Sequence, residues 1–368
     1  MSVNLKKFVD IDIQPRKRSA PIATRKIIVL LTSEETTLSS TDPILVHSYS
    51  EAQTACALMT NTLAYLKVYF DNGGIDALVY PGLIPDSEQT VQTLLTSVIA
   101  DLDDELIVVA YAPADGEADP YTTLKSIALI REEASTTIHG TNEKIILART
   151  TSSDSASVKN FAVKYSTIIG AEMTMAAYLS QVNVYGTDSV YDYMFTKETL
   201  TAEDISTTQY ETIIANNMNV ALMLGNTVRN CGGDCKDGYD LVNTYCRIIL
   251  CQTLTTVALD LLTQKIKNSS GISKLYSVLS EELVKYVTSG YLTTDKIWSY
   301  DDLTITYNSQ TFTIIEKGTA LEAGYLIKIL PYESLSEVDK ASHKTPPIYV
   351  IIADQYSIRM IEIDGEVL

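Results

Sequence analysis

Four compact apolar runs punctuate the first 150 residues: KIIVLLTS (26–33), ALVYPG (77–82), LIVVAYA (106–112) and KIILART (144–150). Each is short and apolar at successive positions, the pattern of a strand buried on both faces. The stretches between them have helical character. EAQTACALMTNTLAYLKVYF follows Ser50, which with Gln53 forms a capping-box pattern, and Asn72-Gly73-Gly74 ends it with the left-handed turn that glycine tolerates. SEQTVQTLLTSVIADL (87–102) reads as an amphipathic helix and TTLKSIALIREEA as another. Strands joined by helical crossovers predict an α/β layer with a largely parallel sheet.

After residue 155 the pattern changes. AEMTMAAYLSQV reads as a helix, YDYMFTKETL (191–200) as strand-like, and NVALMLGN (219–226) precedes two long helical stretches at 240–266 and 272–290. Leu275, Val278, Leu279, Leu283, Tyr286 and Val287 form one stripe at helical spacing, which marks a core face. LTITYN, TFTIIEKG, YLIKILPYE, IYVIIAD and SIRMIEIDGEVL then alternate as strands. The expected fold is mixed α+β and α/β. An α/β domain over 26–190 is followed by a domain of two long helices and a β-sheet over 191–356, with extended arms at 1–25 and 357–368. A chain of 368 residues is long enough for more than one core.

In the N-terminal arm, Val9, Ile11 and Ile13 alternate with Phe8, Asp10 and Asp12; the C-terminal arm carries Ile358, Met360, Ile361 and Ile363. Termini that read as strands complete a sheet, either their own or a neighbour's.

Charge and motifs narrow the function. Asp and Glu number 46 against 28 Lys and Arg, a formal charge of −18, and the one basic cluster is Arg16-Lys17-Arg18. Nucleic-acid binding needs a cationic footprint, so that class is not expected. No apolar run approaches the ~20 residues that cross a bilayer, and MSVNLKKFVDIDIQ lacks a signal-peptide core, so neither membrane insertion nor signal-directed export is expected. Phosphate-loop, dinucleotide, zinc-protease and nucleophile-elbow patterns are absent, and His47, His139 and His343 are scattered. The carboxylate pairs Asp103-Asp104 and Glu281-Glu282 read as solvated surface charge. The 23 tyrosines suit extensive contacts, because a phenol buries area and keeps a hydroxyl.

RNCGGDCKDGYD (229–240) is the one stretch that resembles a metal or redox site. Its Cys231 and Cys235 have ligand-like spacing, but Cys246 and Cys251 lie on different sides of the following helix, roughly 140° apart at 3.6 residues per turn. A connector is the better reading: glycines form a turn and Asp240 caps the helix, with a Cys231–Cys235 disulfide left open. No catalytic, cofactor or metal residues are assigned.

VYFDNGGIDALVYPG (68–82) resembles a hallmark of contractile tail sheath proteins of bacteriophages and related injection machines, with Asn72, Gly73 and Gly74 as the turn. GDCKDGYDLVNTYCRIIL resembles that family's entry into a long helix, and PPIYVIIADQYSIRMIEIDGEV its closing strands. The arginine-rich start of that helix is reduced here to Arg247, and the absence of large insertions implies a compact member. The resemblance implies a non-enzymatic virion component without cofactors. It would form hexameric rings stacked around an inner tail tube protein and meet baseplate and tail terminator proteins, with terminal arms lending strands to neighbours. The competing readings are an α/β enzyme with an unrecognised site, one partner of a two-protein sheath and, more distantly, a metal-dependent module.

Overall fold

The computed structural model describes residues 27–355 apart from 36–41, 86–88, 104–105, 116, 118–119, 136–142, 263–267 and 343–344. The chain begins with β1 (Ile27–Thr32), β2 (Ile44–Val46), α1 (Tyr49–Ala55), α2 (Thr60–Asp71), β3 (Asp76–Tyr80), α3 (Val91–Asp101), β4 (Val108–Ala112), α4 (Tyr121–Ser135) and β5 (Ile145–Thr150). It continues through β6 (Phe161–Tyr165), α5 (Met173–Gln181), α6 (Thr207–Ala215), β7 (Asn219–Leu224), β8 (Thr227–Cys231), α7 (Leu241–Leu262) and α8 (Asn268–Thr288). The last part holds β9 (Lys296–Ile297), β10 (Leu303–Tyr307), β11 (Gln310–Ile315), β12 (Ala320–Leu321), β13 (Tyr325–Ile329), α9 (Glu337–Ala341) and β14 (Ile348–Ile352).

The apolar runs form one eight-stranded sheet in the order β2-β3-β1-β4-β5-β6-β7-β8. Neighbours from β3 to β7 pair in parallel, and the edge strands β2 and β8 are antiparallel. Both faces are buried, as the continuous apolar runs require. Ile28 and Leu30 of β1 point into a core shared with α2, α5, α7 and α8, while Val29 and Leu31 point into a second core with α3, α4 and α6. The layer expected to close at residue 190 therefore continues to Cys231, because β7 and β8 belong to the same sheet.

Local differences from expectation have local causes. The first helix is two, broken at 56–59, and its cap is Ser48 rather than Ser50: the Glu51 N–H donates to Ser48 Oγ at 3.2 Å. Residues 191–200 are not a strand. They cross the outer edge of β8 through a single bridge, Lys197 to Arg229, and bury Tyr193. The Phe195 N–H donates to Asn230 O and the Asn230 N–H to Thr196 O, so this segment covers an edge instead of extending the sheet.

The two long helices are present and pack together, and α8 buries Leu275, Leu279, Leu283 and Tyr286, with Val278 and Val287 half-buried. The terminal strands do not form one sheet. Among the described residues they make three two-stranded ribbons, β10–β11, β9–β12 and β13–β14. Asn308 and Ser309, both at positive φ (47° and 63°), close β10 tightly onto β11, which satisfies that pair locally.

Candidate assembly site

In a sheet of this order the chain passes from β1 to β3 on one side, then crosses to β4 on the other. Ligands of such folds bind outside the strand ends at this reversal, against a helix N-terminus. Here the chain fills the place itself. Glu34, two residues beyond β1, accepts the Asn61 N–H at 3.0 Å, the Thr62 N–H at 2.7 Å and the Thr62 hydroxyl at 2.7 Å, so an internal carboxylate occupies the α2 N-terminus. Beside it, Glu117 accepts from Ser33 Oγ (2.9 Å), Tyr111 OH (2.9 Å) and the Ala114 N–H (3.2 Å). Asn61 Nδ2 donates to Pro113 O at 2.9 Å. Donors that would greet a phosphate are already engaged.

The Asn72-Gly73-Gly74 turn is a junction. Gly73 has φ +85°, and the Gly74 N–H donates to Tyr69 O at 3.0 Å. A side chain at Gly74 would lie 2.4 Å from the Tyr69 ring, so only glycine fits. Tyr69 in turn donates its hydroxyl to Asp76 O and accepts the Ile75 N–H. Asn72 reaches farther: its Oδ1 accepts the Thr199 N–H at 3.0 Å, its Nδ2 donates to Thr199 Oγ1 at 2.9 Å, and its carbonyl accepts from Gln181 Nε2. The turn thus ties α2 and β3 to α5 and the segment that covers β8.

RNCGGDCKDGYD is a connector. Gly232 and Gly238 have positive φ, Asp240 Oδ1 accepts the Asn243 N–H at 2.8 Å as the cap of α7, and Cys231 and Cys235 are free and buried. Burial pushes both thiols up, opposite to what metal ligation or exchange requires. Among the described residues no cluster could hold a metal ion. Sequence reading missed Lys236, which is 2% exposed and donates from Nζ to the carbonyls of Asp154 and Asn216, pinning the connector to the sheet layer. It also missed the buried Lys164, although a lysine inside the apolar run FAVKY is a visible signal.

His47 is exposed and pairs with Asp76 at 2.8 Å, whose hydrogen bond raises its pKa; His139 and His343 lie outside the described residues. Glu282, expected at the surface, is 5% exposed and accepts from Tyr185 OH and Lys285 Nζ.

The β13–β14 ribbon is packed on its faces and, among the described residues, lacks further strands at its edges. The Ala353 N–H bonds Gly324 O and the Leu330 N–H bonds Pro347 O, which fixes the phase of the ladder. Alternation then turns the backbone groups of Ile348, Val350 and Ile352 outward on one edge and those of Tyr325, Ile327 and Ile329 outward on the other. One face packs on the main core through Tyr325, Ile329, Ile348, Val350 and Ile352, and the other joins Trp298 through Leu326 and Ile351. A two-stranded ribbon is marginal alone in water, and this one is covered above and below but open at its sides.

The chain leaves the ribbon along a fixed path. The Thr293 N–H donates to Ala353 O, the Gln355 N–H to Tyr291 O, and Asn243 Nδ2 to Gln355 O. A cavity of about 330 Å³, lined in part by Lys159, Tyr239, Arg247 and Asp354, opens beside this exit. The expected arm residues Phe8, Val9, Ile11 and Ile13, and Ile358, Met360, Ile361 and Ile363, lie outside the described residues.

Residues 245–367 match the family described as E217 tail sheath protein gp31-like, C-terminal domain. No curated protein matches the chain in sequence. The fold as a whole is similar to the helical sheath of the anti-feeding prophage in its contracted state, at TM-score 0.65 and 13% identity over 96% of this chain and 98% of that one. It is similar to the PVC sheath complex of an extracellular contractile injection system, also contracted, at TM-score 0.62 and 13% identity, covering 96% of each chain. A sheath tail protein from Listeria innocua matches at TM-score 0.51 and 10% identity over 89% of this chain and 94% of its own. The resemblance read from the Asn-Gly-Gly turn and the closing strands is borne out: the fold is that of contractile sheath proteins.

Proposed function

We propose that the chain is a structural subunit of a contractile sheath, one that polymerises as stacked hexameric rings around an inner tube. The observation that carries this reading is the full-length agreement with sheath folds, joined to a sheath-family match over the last third of the chain. The open edges of β13–β14 support it physically, since an unpaired edge flanked by a packed core is a template for a strand from another molecule.

In this reading the domain units are an arm at 1–25, a sheet-and-helix body, a helical and ribbon core ending near 356, and an arm at 357–368. Phe8, Val9, Ile11 and Ile13 of one subunit and Ile358, Met360, Ile361 and Ile363 of another supply the missing strands. Main-chain pairing tethers subunits while their side-chain interfaces are exchanged, so rings can twist and compact as rigid bodies without separating. The extended polymer is a kinetically held state released from the baseplate, with a terminator closing the far end, and drives the tube through a target envelope with no nucleotide. The protein resides in the particle and is not an enzyme. The self-filled crevice favours this over the α/β enzyme reading.

Electron microscopy of the purified full-length chain tests the proposal: tubes or rings are expected, and a uniform monomer at high concentration counts against it. Removing residues 1–15 is expected to leave a folded monomer that does not polymerise. Tubes of normal appearance from that variant would overturn the arm assignment. Tubes formed only after adding a second sheath protein would favour the two-protein alternative.

A further inference from the structure

Lys164, Glu198 and Asn230 meet in the interior of the sheet layer, and the sheath reading gives them no role. Lys164 lies on β6 and Asn230 on β8, on the same face of the sheet, with β7 between them. Their neighbours in register are Asn219 for Lys164 and Ala221 for Asn230. The small Ala221 side chain leaves a path over β7, and two strand spacings, roughly 10 Å, are within reach of a lysine. Lys164 Nζ is 2.8 Å from Asn230 Oδ1 and 2.6 Å from Glu198 Oε1. Tyr193 OH completes the group, 2.5 Å from Glu198 Oε1 and 2.8 Å from Thr174 Oγ1. Lys164 and Asn230 are 0% exposed, Tyr193 1% and Glu198 9%.

An ion pair alone would need only Lys164 and Glu198. The third member changes the chemistry available, because the lysine nitrogen sits against a carboxamide, one bond from its carbonyl carbon, in a site closed to water. Glu198 has a second oxygen, Oε2, that is buried with no hydrogen-bond partner, and Asn230 Nδ2 is held only by a long 3.3 Å contact to Gly232 O. A spare carboxylate oxygen and a loosely held amide nitrogen are what a proton-assisted departure of ammonia requires.

We infer that Lys164 and Asn230 join in an intramolecular isopeptide bond, formed by the chain itself with Glu198 as the proton carrier. The Lys164 ammonium gives one proton to Glu198, and the resulting amine attacks Asn230 Cγ while the protonated Glu198 polarises Oδ1. The Cγ–Nδ2 bond then breaks as Nδ2 takes up a proton that Glu198 relays from Nζ. Ammonia leaves and carries the remaining proton away as ammonium. One C–N bond forms and one breaks, the total charge is unchanged, and no oxidant or external reactant enters. Burial works in the same direction, lowering the lysine's hold on its proton, while the charge of Glu198 opposes it. The bond would staple β6 to β8 across β7, closing a loop between positions 66 apart in sequence.

The test is the intact mass of the purified full-length chain, measured denatured, with tandem mass spectrometry of its digest. The expected result is a mass lower than the sequence by one ammonia, and a branched peptide joining Lys164 to Asn230. Glu198→Gln is expected to restore the full mass and two separate peptides. Full sequence mass in the wild type, with the Lys164 and Asn230 peptides unlinked, overturns the inference whatever the variant does. An ammonia deficit without the branched peptide also overturns it, since succinimide formation at Asn72-Gly73 gives the same mass change.

Discussion

The eight-stranded layer and the β13–β14 ribbon solve the problem of exposed backbone in opposite ways. In the layer, the β8 edge is crossed by residues 195–198, and the crevice at the chain reversal is filled by Glu34 and Glu117. In the ribbon, both outer edges are left without a strand among the described residues, although its faces are packed. On the proposed reading, the difference separates an edge covered within one chain from edges that other chains would finish. A sheath needs both: a rigid body to move and an unfinished sheet by which to stay attached.

Four substitutions break or sharpen this contrast. The largest effect is expected for Val350→Pro, which removes an outward N–H of β14 but none of the bonds to β13. Polymer yield by sedimentation should fall about tenfold or more, a tenfold change being equivalent to ~1.4 kcal/mol, while the monomer loses only on the order of 1 kcal/mol from the half-buried Val350 packing. Normal polymer would show that this edge is not used.

Gly74→Val strikes the body instead. Its Cβ would meet the Tyr69 ring at 2.4 Å, and a loss of about 3 kcal/mol is expected in denaturant titration. A loss below ~1 kcal/mol would mean the ring swings aside. Glu34→Ala removes the acceptor at the α2 N-terminus and leaves two N–H groups unmet, a cost of about 1–2 kcal/mol by the same titration. If polymerisation suffers more than stability, the crevice is also a contact surface and the contrast is too sharp.

The smallest effect concerns acid. Burial works to raise the pKa of Asp154, but hydrogen bonds from Lys125, the Ala156 N–H and Tyr121 outweigh it and hold the carboxyl down at about 2. A depressed carboxylate contributes stability above its unfolded value near 4 and loses it as pH falls through the folded value. The body should therefore weaken between about pH 4 and pH 2, and Asp154→Asn should flatten that limb by on the order of 1 kcal/mol, the side chain being about one-fifth exposed. An unchanged acid limb in the variant would remove Asp154 from the account.

Elements whose signal is local were legible from sequence. The strands of the parallel layer, the α8 stripe and the Asp240 cap were placed because apolar period and capping chemistry act within a few residues. Residues 191–200 misled because their alternation serves edge coverage, and β8, which they cover, lies thirty residues on. The start of the first helix turned on a choice between Ser48 and Ser50, two similar caps two residues apart, and its break at 56–59 falls where no Gly or Pro announces it. Of the candidate site, the Asn72-Gly73-Gly74 turn was visible because glycine is demanded locally, whereas its partners Gln181 and Thr199 were not.

By itself, then, the sequence determined the class of the fold, the absence of familiar catalytic signatures and the glycine turn, all consequences of backbone sterics and apolar period. Tertiary structure alone decided that Glu34 would occupy a vacant helix end, that Lys164, Glu198 and Asn230 would converge, and that β13–β14 would have no further strand at its edges among the described residues. Those outcomes depend on which distant strands become neighbours, a long-range pairing that is not encoded in any single stretch of chain.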